Sequence, residues 1–200
     1  MNRSFETVAP IAIPAESATV TAMSMLRGAG IVLVASALVG VASHISVPLF
    51  FTPVPVTLQP FAVVLLGLLL SPRLALGSLI AYLIEGAAGL PVFTPFGLGG
   101  MAQLLGPTGG YLLSYPLVAL VVSYLWRKGP RTFSRGVFVA GAGDLLILTL
   151  GTIWLGAVTH ATPMAAINHA VLPFLPGDAL KVLAAAGIAS AASRIRMFQK

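Results

Sequence analysis

An acidic and a basic residue lie three positions apart near the start of the last apolar segment of this sequence. They are Asp178 and Lys181, within the run Leu-Pro-Gly-Asp-Ala-Leu-Lys at 175–181. On a helix, this spacing places both side chains on one face, within reach of each other and of a common ligand. Placing a charged side chain near the middle of a bilayer costs roughly 2.5–3.5 kcal/mol, so such residues occur mainly where they have a function. Two interpretations are open: a structural ion pair that locks two helices, or a polar binding site between helices.

The composition places these charges in a membrane protein. Only 8% of the 200 residues are charged and 58% are hydrophobic, a balance that a water-soluble domain could not cover with polar surface. At about 20 residues per crossing, the apolar segments account for most of the chain and leave no room for a soluble catalytic domain. We therefore predict an all-α integral membrane protein with six transmembrane helices, at about 28–47, 56–70, 74–90, 108–126, 136–158 and 173–193.

The basic residues indicate the orientation of these spans. When alternate connections are assigned to opposite sides, ten of the eleven Lys and Arg residues fall on one side, and the eleventh is Lys181. Cytoplasmic loops are rich in Lys and Arg, so both termini are predicted to be cytoplasmic, with a tail at 1–26, the membrane domain at 27–196 and a tail at 197–200. We expect a multi-pass protein of the inner (cytoplasmic) membrane, surrounded by the lipid bilayer. The net charge of +6 is then a topology signal, and nucleic-acid binding is not expected.

Polar residues of several spans are predicted to share one depth. At about 1.5 Å per residue, Glu85 lies in the same outward half as Asp178 and Lys181. Gln59, near the outer start of the second span, and Gln103, in the following loop, can join them. The sequence thus predicts an outward-opening pocket with hydrogen-bonding groups at its floor and apolar walls.

The uncharged, glycine-rich segment 90–107 is predicted to cover this pocket, because a loop so apolar is poorly suited to stand free in water. Asp144 lies deeper, and the sequence leaves open whether it belongs to the floor or to helix packing. The pocket suits a small molecule with a compact polar head and an aliphatic body. A neutral urea or amide can accept from Lys181 and donate to Asp178, which satisfies both charges.

Other chemistries find little support. The chain has no cysteine, which excludes disulfides and thiolate catalysis. His160 and His169 are nine positions apart in a predicted loop, a spacing without helical metal-ligand geometry, so neither a metal nor a cofactor is expected. No Ser-His-Asp or His-Glu-x-x-His arrangement points to an enzyme. A stand-alone or proton-coupled secondary transporter of a small molecule is the alternative, although no strongly inverted repeat is evident.

Four motifs carry a resemblance to a known family. They are Thr-Pro-Val-Pro-Val-Thr-Leu-Gln at 52–59, Gly-Leu-Pro-Val-Phe at 89–93, Leu-Gly-Pro-Thr-Gly-Gly-Tyr at 105–111 and the run at 175–181. In this order they resemble the BioY family, the biotin-binding S components of energy-coupling-factor (ECF) transporters. The resemblance implies the six-helix S-component fold and high-affinity capture of biotin from outside. It also implies a partner module, made of a transmembrane coupling protein and two ATPase subunits, that powers release inward.

The resemblance also implies roles for individual residues. Asp178 and Lys181 match the acid and lysine that hold the ureido head of biotin, and the loop at 92–103 matches the lid over its valerate chain. Glu85 is a departure, because the resemblance places an amide in this region and an acid changes the hydrogen-bond pattern. Tyr111, in the third motif, belongs to the expected binding site.

The carboxylate end of biotin has no obvious partner in this sequence. No Lys or Arg lies between Arg73 and Arg127, where some members of the family place an arginine. Backbone N–H groups at Gly97, Gly99 and Gly100, or the side chain of Gln103, would then have to hold this carboxylate.

Small residues follow one side of the first span, among them Ser36 and Gly40. Such a smooth face lets another helix approach closely. It resembles the surface by which S components dock on the coupling protein. Packing within the same chain is the alternative, and the sequence does not separate the two.

Overall fold

A computed structural model describes residues 15–198 of the chain, and the side chains of 23–195. Eight helices and one two-stranded hairpin make up this described part. In chain order they are α1 (Ala15–His44), β1 (Ser46–Val47), β2 (Val56–Thr57), α2 (Gln59–Leu69), α3 (Pro72–Ala87), α4 (Gly100–Leu105), α5 (Gly109–Arg127), α6 (Phe133–Thr159), α7 (Pro163–Ala170) and α8 (Leu175–Phe198).

Four of the described helices are long and apolar enough to cross a membrane. They are α1 from Met23 onward, α5, α6 and, within α8, Leu175–Ile195. The prediction of a helical protein with membrane-spanning segments is confirmed to that extent. The helices also run further than predicted: α1 begins at Ala15, inside the region predicted as a tail, and α8 continues to Phe198. The rest of both predicted tails, 1–14 and 199–200, lies outside the described residues.

The second and third predicted spans correspond to the shorter helices α2 and α3. With 11 residues, α2 is only about 16 Å long, well below the roughly 30 Å of a bilayer core. Its residues 62–68 are all buried, as expected of a helix that is apolar all round. Prolines at the starts of both helices, Pro60 and Pro72, suit the first turn of a helix, where the missing N–H is not needed. A tight turn at 70–71 therefore separates α2 from α3.

Glycines bring α5 and α6 into close contact. A Cβ atom on Gly110 would lie 2.1 Å from the Cβ of Trp154, and one on Gly151 would lie 2.3 Å from the ring of Tyr111. Real side-chain atoms do not approach so closely, so only glycine admits these two aromatic side chains. The Trp154 indole N–H also donates to the Gly106 carbonyl at 2.9 Å. This packing fixes the face that α5 turns toward the centre of the bundle.

The irregular connections are more ordered than the sequence predicts. The proline-rich link at 48–55 is non-helical, as predicted, and forms the loop of a hairpin in which Ser46 pairs with Thr57. The predicted cover at 90–107 contains the short helix α4, entered through Gly99 and Gly100 at φ values of 70° and 57°. These left-handed conformations favour glycine. The connection that carries His169 was predicted as a loop, but it contains α7, which begins at a threonine cap and a proline.

Candidate functional site

A cavity lies between the hairpin and helices α2, α4, α5, α6 and α8. Its empty space is about 520 Å³, including its open mouth. We call it the inner cavity. Its polar lining residues are Thr57, Gln59, Thr94, Gln103, Thr108, Tyr111, Tyr115, Asp144, Asp178 and Lys181, and its apolar ones are Val54, Pro55, Pro60, Leu112, Ile147, Leu148 and Phe174.

The predicted contact between Asp178 and Lys181 is confirmed. The lysine Nζ donates to Asp178 Oδ1 at 2.8 Å, and the side chains are only 12% and 4% exposed, respectively. Asp178 lies in the first turn of α8, where the positive end of the helix dipole favours a carboxylate. Both residues lie on α8, so the pair does not lock two helices together, and both line the inner cavity.

Gln59 reaches the inner cavity from the first residue of α2. Its side-chain oxygen accepts from the Thr57 hydroxyl at 3.1 Å, and its Nε2 donates to the Tyr82 hydroxyl at 2.5 Å. These two bonds fix the orientation of the amide. Tyr82 is fully buried on α3 and was missed in the sequence analysis, because nothing in the sequence indicates that its hydroxyl faces Gln59.

Gln103 connects the inner cavity with the glycine-rich segment. The residue is 2% exposed, and its Oε1 accepts from the Gly99 backbone N–H at 3.1 Å. A Cβ atom on Gly97 would lie 2.2 Å from the same oxygen, so any larger residue at this position would have to displace the Gln103 amide. Gly99 and Gly100 shape the loop but do not line the inner cavity.

Tyr111 and Asp144 line the inner cavity on α5 and α6. The Tyr111 hydroxyl donates to the Ala170 carbonyl at 3.0 Å, which ties α5 to the end of α7. Asp144 is 7% exposed and contributes to the cavity wall, so the structure places it at the pocket and not only in helix packing. Asp144 and Asp178 also line a shallow apolar groove between α6 and α8.

Glu85 and the small-residue face of α1 lie elsewhere. The structure places Glu85 outside the residues that line the inner cavity, where its carboxylate accepts a hydrogen bond from the Ser36 hydroxyl. Ser36 is fully buried, and a Cβ atom on Gly40 would lie 3.4 Å from Val92. Both residues predicted for partner docking are therefore packed inside the chain, because α1 turns its small side chains toward α3 and the following loop.

A second cavity lies directly outside the first. It holds about 710 Å³, again including its open mouth, and we call it the outer cavity. The two cavities share Pro55, Thr94, Gln103 and Thr108. The remaining residues of the outer cavity are Pro53, Phe96, Gly97, Leu98, Gly106 and Pro107. The two cavities are therefore neighbours, and the exposed side chains of Phe96 and Leu98 form the rim of the outer one.

Within the described residues, no group of three or more His, Asp or Glu side chains has a geometry suited to a metal ion. The inner cavity offers one ion pair, a further carboxylate on Asp144, amides, hydroxyls and apolar walls.

Comparison with known proteins identifies the family. The model of the BioY family matches residues 15–197. The chain belongs to the BioY family. It is 39% identical over 153 residues to a probable biotin transporter BioY of Pyrococcus horikoshii, covering 76% of this chain and 88% of that one. It is 38% identical over 154 residues to the biotin transporter BioY of Thermotoga maritima, covering 77% and 88%, respectively.

The fold of this BioY chain also matches a solved structure. That structure is described as the S-component for biotin from an ECF-type ABC transporter. It aligns with a TM-score of 0.77 and 25% identity, covering 86% of this chain and 93% of the solved one. The S-component fold predicted from the motifs is thereby supported for the helical bundle as a whole.

Proposed function

We propose that this BioY chain captures biotin with high affinity and serves its uptake across the cytoplasmic membrane, as the S component of an ECF-type transporter. One observation carries the proposal: a buried ion pair, Asp178 and Lys181 at 2.8 Å, lies in the wall of the inner cavity. An ion pair that served only to lock helices would need no cavity beside it. Relatives described as biotin transporters supply the identity of the ligand.

The ureido head of biotin suits this pair of charges. Its carbonyl oxygen can accept from the Lys181 ammonium, and its N–H groups can donate to the Asp178 carboxylate. The Gln59 amide, oriented by Thr57 and Tyr82, provides a further polar group at the same wall. A bidentate, uncharged head therefore completes the hydrogen bonds of the pair without adding a net charge to the interior.

The apolar part of biotin has matching walls. Ile147, Leu148 and Phe174 line the inner cavity, and their apolar surfaces suit the sulfur-containing ring. The valerate chain would extend past Gln103 into the outer cavity, beneath the segment that carries Gly97. The predicted lid role of this segment is retained in the proposal.

Six membrane crossings are proposed, formed by α1, α2, α3, α5, α6 and α8, with both termini in the cytoplasm. The described basic side chains other than Lys181 belong to the ends and connections that the positive-inside rule assigns to the cytoplasm. The short helix α2 is buried among the others, so the unpaired backbone N–H and C=O groups at its ends are not exposed to lipid.

The partners proposed for uptake are a transmembrane coupling protein and two ATPase subunits. The solved structure of similar fold is described as part of an ECF-type ABC transporter, which supports this assembly. ATP hydrolysis would then be carried out by the partner subunits and not by this chain. The docking surface would consist of other residues, exposed on the surface of the bundle, because Ser36 and Gly40 are buried.

Titration calorimetry of the purified protein in lipid nanodiscs tests the binding function. We expect a biotin Kd near the nanomolar range, or about −12 kcal/mol. Uptake of labelled biotin by cells that make this protein, with and without a coupling module, tests the transport function. Absence of both heat and thermal stabilisation with biotin would contradict the proposal, whereas binding without module-dependent uptake would leave only the capture function.

A further inference from the structure

The outer cavity has no charged side chain in its lining. Its residues are prolines, glycines, threonines, two large apolar side chains and Gln103. Among the side chains that the structure describes, Lys181 is the only cation that lines either cavity, and it is already paired with Asp178. A ligand whose polar head lies at this pair would extend its tail into uncharged surroundings.

The backbone donors predicted to hold a tail carboxylate are partly engaged within the chain. The Gly97 N–H donates to the Thr94 carbonyl at 3.2 Å. The Gly99 N–H donates to Gln103 Oε1 at 3.1 Å. Two of the expected donors thus stabilise the loop itself, which weakens the case for a dedicated anion site at this position.

Gln103 does not require an anionic ligand. A glutamine side chain offers both an acceptor and two donors, so its amide pairs with a neutral amide as well as with a carboxylate. The rim is also open, because the side chains of Phe96 and Leu98 are 55% and 73% exposed. A substituent on the end of the tail would therefore meet exposed apolar side chains at the rim, with no described cation among the lining residues.

We propose that the site accepts biotin derivatives whose tail ends in a neutral secondary amide, in addition to biotin itself. The inference rests on the proposed function, since it assumes that the ureido head lies at Asp178 and Lys181. It extends the substrate class from the free acid to amide conjugates of the same head group. Recognition is then concentrated at the head, and the charge of the tail contributes little.

Calorimetry with matched ligands tests this proposal. Biotin and its N-methylamide differ only at the end of the tail, and we expect their Kd values to agree within about threefold. An analogue with both ureido nitrogens methylated is the control for the head, and we expect it to bind at least 100-fold more weakly than biotin. If biotin binds and its amide is more than about 30-fold weaker, the proposal is overturned. If biotin itself does not bind, the proposed function fails instead.

A variant designed to discriminate between biotin and its amide provides a second test. Leu98→Arg adds a cation at an exposed position in the rim, where an ion pair is worth up to about fivefold in affinity. We expect this variant to prefer biotin over the amide by a few fold in low salt, and Leu98→Gln, its uncharged counterpart, to show no preference. A clear preference for biotin over the amide in the uncharged Leu98→Gln variant would overturn the proposal, because the charge of the tail would then matter without an added cation.

Discussion

Replacement of Lys181 by methionine tests the proposed site most directly. Methionine keeps nearly the same length and apolar volume, but it removes the ammonium group that donates to Asp178 at 2.8 Å. The Lys181 side chain is 12% exposed and that of Asp178 is 4% exposed, so water can replace little of the lost interaction. The substitution therefore removes one ligand contact and leaves one buried carboxylate without its cation.

The expected loss of affinity follows from these two effects. A hydrogen bond to a charged group contributes about 1.5–3 kcal/mol, which corresponds to about 10- to 150-fold in Kd. The unpaired carboxylate should also destabilise the unliganded protein, because removing one partner of a buried ion pair costs about 3–5 kcal/mol when both groups are fully buried. Lys181 borders a cavity, so we expect a smaller loss of stability than this range.

Titration calorimetry in nanodiscs measures the first effect, and thermal unfolding of the unliganded protein measures the second. Lys128→Met is a matched control, because Lys128 lies over the Tyr124 ring, 4.2 Å from its centroid, and lines neither cavity. We expect the control to keep the wild-type Kd. A Lys181→Met protein that folds and binds biotin within threefold of wild type would refute the placement of the ureido head at this pair.

Three further substitutions separate binding from packing. Gly151→Ala places a methyl group 2.3 Å from the Tyr111 ring, so the ring must move. We expect thermal unfolding to show a loss of about 1–3 kcal/mol in the free energy of unfolding, and calorimetry to show weaker biotin binding. Unchanged stability and affinity would contradict the described α5–α6 contact. Glu85→Gln keeps an acceptor for the Ser36 hydroxyl and should leave the biotin Kd unchanged in calorimetry, whereas a tenfold loss would bring Glu85 into the site. His169→Ala removes a contact with the Phe51 carbonyl outside both cavities, so we expect the biotin Kd to stay unchanged. A Kd altered more than threefold would contradict the proposed position of the binding site.

The class of the fold could be predicted from composition, but the lengths of its helices could not. With 58% hydrophobic and only 8% charged residues, the chain cannot cover its surface with polar groups, and this indicates a lipid environment for any tertiary structure. The boundaries of α2 depend instead on Pro60 at its start and on its position in the centre of the bundle. A buried helix does not need the full thickness of the bilayer, and hydropathy alone does not reveal that it is buried.

The Asp178–Lys181 pair could be predicted because its signal in the sequence is local. Asp178 and Lys181 are three residues apart on one helix, so helical geometry alone brings them together. Tyr82 was missed because its bond to Gln59 joins α2 to α3 and depends on how these two helices pack. Contacts between elements carry no comparable signature in a single sequence.

Glu85 illustrates what depth along a helix leaves undetermined. Helix rise placed it at the level of Asp178, but rise says nothing about the direction in which a side chain points around the bundle. The structure turns Glu85 toward α1, where Ser36 donates to it. Two residues that the sequence analysis assigned to two different functions, ligand binding and partner docking, therefore bond to each other.

The surroundings of an acid within a span are thus more informative than its presence there. Glu85 bonds to a hydroxyl of α1 and lines neither cavity, so its remaining acceptor sites do not face the candidate site. Asp178 is paired with a cation that borders open space, and both charges retain hydrogen-bonding capacity that only a small polar molecule or water can use. This difference explains why one acid marks the candidate site and the other marks helix packing.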